Sequence, residues 1–105
     1  MNYNQAHYAP GIVYTIPNHE LVFTNTGVMV NTPKPLFSFD AQAIATLKAE
    51  LADTFQRVDF TDSGAIVEAI DQAKADHYAT HQTHVFAYAV AFAINDRLKR
   101  YRYLA

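Results

Sequence analysis

Two clusters of side chains in this 105-residue chain are of types and spacings that could do chemistry. The first is His77-x3-His81-x2-His84, with Asp76 beside it. Spacings of four and three put side chains on one face if the backbone is helical. Imidazole is the commonest metal ligand, so this pattern suggests a zinc-type or other divalent metal site, or a His-based enzyme centred on those residues. A helix starting near His81 would disfavour protonation of His81 and His84 and keep them fit to ligate or accept a proton. The bland readings stand beside it: a polar connection of solvated histidines, or His77 as a core residue on the face of Ile66, Ile70 and Ala73. No H-E-x-x-H pattern supports the sharper one.

The second cluster is Arg97-Leu98-Lys99-Arg100-Tyr101-Arg102-Tyr103. Residues 1–96 hold all ten acids against four bases, and the other four bases fall within these few positions. Arg and Tyr are enriched in protein–protein hot spots, so Arg97, Arg100, Tyr101, Arg102 and Tyr103 form a candidate surface for a protein partner. Cations at a helix C-terminus also complement its dipole, which is the plain structural reading. Stacked bases and phosphates are a third reading. Four charges make a small footprint, and the acidic remainder argues against a polyanion binder, so nucleic acid is the least expected partner.

Several chemistries are excluded. The absence of cysteine removes disulfides, thiolate catalysis, Cys-ligated zinc and iron–sulfur clusters. Glycine occurs only at 11, 27 and 64, too sparsely for a phosphate-cradling loop or a dinucleotide fingerprint. Neither Ser38 nor Ser63 lies in G-x-S-x-G. No catalytic residue is singled out and no cofactor is implied. The segment from Met1 to His7 lacks the basic and apolar blocks of a secretory signal. The longest apolar run, Val85 to Ile94, is ten residues, too short to span a bilayer. A cytoplasmic protein without membrane contact is expected.

The elements that must position these clusters follow from periodicity. Ile12 to Ile16 is β-branched and aromatic, Pro17-Asn18-His19 supplies a turn, and Leu21 to Thr24 reads as a second strand. Asn25-Thr26-Gly27 suits a three-residue hairpin loop leading to a strand over 28–30. The prolines of Pro33-Lys34-Pro35 end this meander, with Leu36 to Phe39 as a short edge strand. Asp40 is placed to cap a helix over 41–55, stapled by Phe39 and Ile44, with Ile44, Leu47, Leu51 and Phe55 as its apolar stripe. Arg57 to Phe60 alternates like another strand. Thr61-Asp62-Ser63 offers caps for a helix over 63–77, and Thr80 for the next. From His84 onward strand and helix templates both fit. Alanine propensity and length favour a helix over 81–101, with Asn95-Asp96 on its exposed face. Such a helix, apolar nearly all round, needs cover from the sheet, another helix or a second copy, which keeps a homodimer open. The sum is one α+β domain over 1–105: a small antiparallel sheet with two or three helices on one face.

Two stretches carry a family resemblance: Leu21 to Phe55, including Pro33-Lys34-Pro35, and Val85-Phe86-Ala87-Tyr88-Ala89 through Ile94-Asn95-Asp96-Arg97-Leu98-Lys99-Arg100-Tyr101. With the chain length they resemble a small bacterial family of uncharacterised proteins assigned to amino-acid metabolism and often encoded beside cysteine desulfurase. The resemblance implies an α+β fold and a role linked to amino-acid or sulfur metabolism. It supplies no catalytic residue. A non-catalytic accessory or binding protein is the expected class.

Overall fold

A computed structural model describes residues 11–24, 27–32 and 40–104, with side chains through Leu98. The expected edge strand at 36–39 and the staple residue Phe39 lie outside the described residues. Three strands form an antiparallel meander in the order β1-β2-β3: β1 Val13–Ile16, β2 His19–Thr24 and β3 Gly27–Asn31. Three α-helices follow: α1 Ala41–Gln56, α2 Ser63–His77 and α3 Thr83–Leu104, with a 3-10 turn, Tyr78–Thr80, before the last. The α+β architecture is the expected one. Among the described residues no helix is long and apolar enough to cross a membrane.

Both hairpin connections have two residues between paired positions, since Ile16 pairs with His19 and Thr24 with Gly27. The second is therefore one residue tighter than expected. Pro17 opens the first connection and Asn18 takes the left-handed conformation at φ 65°. Asparagine tolerates that region because its short side chain can bond locally. At the head of β1, Gly11 and Ile12 both face Phe23. Gly11 N–H donates to the Phe23 carbonyl (2.8 Å) and Phe23 N–H donates to the Ile12 carbonyl (2.9 Å). This is a bulge led by a glycine at φ 97°.

Strand alternation sends Tyr14, Ile16, His19, Leu21, Phe23 and Val28 inward, where all are buried. The expected stripe of α1 is buried in full: Ile44, Leu47, Leu51 and Phe55. Asp40 caps it through Oδ1, which accepts from Ala43 N–H at 3.0 Å. Asp62 is the cap of α2, accepting from the Gly64 and Ala65 amides at 2.9 and 3.2 Å. Each fully buried Leu, Ile or Phe contributes about 1.5–3 kcal/mol, so these stripes outweigh either cap.

Two local expectations are corrected, and the helix expected over 81–101 is present. Residues 57–60 are not a strand. Asp59 Oδ1 accepts from both the backbone and the hydroxyl of Thr61, and Asp62 N–H reaches the Asp59 carbonyl. That turn chemistry overrides the alternating pattern, and Phe60 still buries its ring. Thr80 does not cap α3. Its hydroxyl donates to the His77 carbonyl at 3.1 Å, finishing α2 instead. The helix starts at Thr83, with Phe86 N–H donating to the Gln82 carbonyl. The ambiguous apolar stretch is helical. Its first half is covered by β2, β3 and α1, which meets within one chain the demand that pointed to a second copy.

Candidate functional site

The histidine cluster does not assemble as the spacing suggests. α2 ends at His77, and His81 follows the 3-10 turn in extended conformation (φ −132°, ψ 157°). His77 Nδ1 lies 3.8 Å from Glu50 Oε1 on α1. His81 Nδ1 donates to the His77 carbonyl at 2.9 Å, and the two rings sit edge to face with centroids 6.2 Å apart. His84 is buried in the first turn of α3. The break between the helices removes the common face that three ligands would need. Among the described residues no group of three or more His, Cys, Asp or Glu is arranged to hold a metal ion.

At the basic–aromatic end, the Arg97 side chain is engaged within the fold. Arg97 is half-buried. Its Nε donates to the Gln56 carbonyl at 3.3 Å, and its guanidinium lies 5.9 Å from the centre of the Phe60 ring. It therefore serves the carbonyl end of α1, where a cation is favourable. Lys48 and Asp96 add an ion pair of 2.8 Å between the same helices. Arg100, Tyr101, Arg102 and Tyr103 continue along α3, and their side chains lie outside the described residues.

Asn95 was expected on the exposed face beside Asp96. Instead its carboxamide makes a reciprocal pair with one peptide of β3. Val28 N–H donates to Asn95 Oδ1 (2.7 Å) and Asn95 Nδ2 donates to the Val28 carbonyl (2.9 Å). This is how a neighbouring strand would bond. The register explains the vacancy it fills. In an antiparallel ladder, bonded and non-bonded pairs alternate. The Phe23 to Ile12 bond makes Ile12, Tyr14 and Ile16 the bonded residues of β1. β2 then turns the groups of Val22 toward Met29, and Val28 is left facing outward. A helix side chain closes the edge there. Gly27 makes the approach possible, because a Cβ at that position would sit 2.5 Å from Asn95 Oδ1 and its φ is 142°.

The same parity leaves the outward N–H and C=O groups of Val13 and Thr15 on β1 without hydrogen-bond partners among the described residues. Beside this edge, Ile12, Ser63, Gly64, Val67, Glu68 and Asp71 line an open groove of about 470 Å³. The Tyr14 hydroxyl donates to Asp71 Oδ1 and ties strand to helix at the groove. Burial first, then that bond and the charge of Asp71, hold the Tyr14 phenol well above the ordinary tyrosine range. It is a fixed donor, unsuited to act as a base or nucleophile at neutral pH.

The outer sheet face carries two rows set by the register. Val13, Val22 and Met29 form an apolar row, and Thr15, Glu20 and Asn31 a polar one. Val13 is 53 % exposed and Met29 62 %. Asn31 Nδ2 donates to Glu20 Oε1 at 3.2 Å across the polar row. Sequence reasoning missed the apolar row because it became visible only once both connections were known to be two residues long. The available signal was three apolar residues at outward positions of a strand pattern.

Comparison with protein families, with curated proteins and with solved structures found no match.

Proposed function

We propose that this chain is a non-catalytic accessory protein that works by binding a protein partner through the β1 side of its sheet. One observation carries the proposal: among the described residues β1 presents an unpaired backbone edge and, at the same place, the exposed end of the Val13–Val22–Met29 row. Exposed apolar surface rimmed by polar residues is characteristic of interaction sites. Here the rim is the Thr15–Glu20–Asn31 row. The resemblance to a family linked with amino-acid metabolism supports seeking the partner among enzymes of amino-acid or sulfur metabolism. The cysteine-free composition supports a cytoplasmic setting.

Site-specific photo-crosslinking in cells tests the reading. A photoreactive residue at position 22 is expected to give one discrete protein adduct that disappears when Met29→Glu is added. The same probe at Ala45, an exposed position on α1, is the control and gives none. No adduct at position 22 from folded protein would overturn the proposal.

A further inference from the structure

We propose that β1 and the groove beside it take an extended basic segment of the partner as a fourth strand. The inference rests on the partner-binding reading above and names the kind of partner. Strand addition needs an edge whose outward groups are unsatisfied, because main-chain hydrogen bonds supply the affinity. Among the described residues β1 offers four such groups, an N–H and a C=O on each of Val13 and Thr15, at the two-residue spacing of a ladder. β3 is the poorer edge, since a strand added there must displace Asn95 from Val28.

The surroundings of β1 determine which side chains an added strand must carry. Alternate residues of that strand point to opposite faces of the sheet. Those on the outer face fall beside Val13 and extend the Val13–Val22–Met29 row, so they are apolar. Those on the inner face fall on the side of Ile12 and Tyr14, over the groove. Its walls pair the apolar Ile12 and Val67 with the carboxylates of Glu68 and Asp71, both on exposed residues. Long side chains with an apolar stem and a cationic head match that lining, since the stem covers Val67 while the head reaches the acids. No basic side chain lines the groove among the described residues. The occupant is therefore an extended segment alternating apolar residues with lysine or arginine.

The test uses the intact protein and a capped seven-residue peptide alternating valine with lysine and arginine. Expected is saturable, sub-millimolar binding, with backbone amide shifts in NMR spectra centred on Val13 and Thr15. The same peptide N-methylated at alternate residues, which cannot pair with an edge, is expected to lose that binding. Glu68→Lys is expected to weaken it about tenfold while leaving the spectrum of the free fold intact. The inference is overturned if the peptide does not bind, if the N-methylated peptide binds as well, or if the shifts map away from β1. A crosslinked adduct at position 22 together with such a failure would leave the partner reading standing and remove strand addition. Absence of any adduct at position 22 in the folded protein without Met29→Glu would remove the partner reading itself.

Discussion

The two edges of this three-stranded sheet solve the same physical problem in opposite ways. Each outer strand turns a row of peptide groups away from its neighbour, and such groups invite pairing with another chain. At β3 a helix side chain takes both groups of Val28, and a glycine beside it admits the close contact. At β1 the corresponding groups of Val13 and Thr15 have no partner among the described residues, next to an exposed valine and an acid-lined groove. Among the described residues the fold plugs the Val28 position of the β3 edge and no position of the β1 edge. The proposed partner contact uses the β1 side.

Breaking the plug is the severest test of that contrast. Gly27→Ala forces a Cβ onto Asn95 Oδ1 and strains a backbone at φ 142°. A loss of about 3 kcal/mol is expected from strain and the displaced amide together, measured as a lower urea midpoint. Asn95→Ala removes the carboxamide while sparing the backbone, and about 2 kcal/mol is expected for two bonds lost at a half-buried edge. In that variant the Val28 amide, normally protected, should exchange with solvent at rates approaching those of Val13 and Thr15. Equal protection of Val28 in both proteins would show that the contact does not seal the edge.

On the β1 side the expected effects are smaller. Tyr14→Phe removes the bond to Asp71 and should cost about 1 kcal/mol at neutral pH. Its pH signature is more specific. The folded protein holds the Tyr14 phenol above its ordinary value of 10.0, so the protonated form is favoured by folding. That stabilisation is complete below pH 10.0 and is lost as pH rises from there toward the folded value. Chemical denaturation from pH 9 upward should therefore show a decline in the wild type that is shallower in Tyr14→Phe. Smallest of all, Val13→Lys should change stability by less than about 0.5 kcal/mol, because its side chain is already half in water. A large loss there would mean that the outer row is part of the fold's support, not a surface held for a partner.

How much could be read from the sequence divides along a related line. The α1 stripe and its Asp40 cap were legible because every signal lies within one element: a capping side chain and apolar residues at helical spacing. The class of fold followed from the same local patterns. The stretch from Val85 to Ile94 fits both templates as a string, and what decides it is cover on several sides, supplied by β2, β3 and α1. The histidine cluster misled because its spacing presumes an unbroken helix, whereas the chain turns between His77 and Thr83. Asn95 was illegible for the opposite reason. Its partner is 67 positions away, and no local pattern distinguishes it from the solvent-facing Asp96 next to it. Arg97 likewise reads as a surface cation until the end of α1 is placed beneath it.

The distance in sequence between Val28 and Asn95 also has a consequence in time. Chains are synthesised at about 5–20 residues per second, so roughly 3–13 s separate the making of β3 from the making of the side chain that seals it. Until that side chain is made, the Val28 groups that face away from β2 have no Asn95 to pair with. Completion of α3 brings the carboxamide that takes both of them.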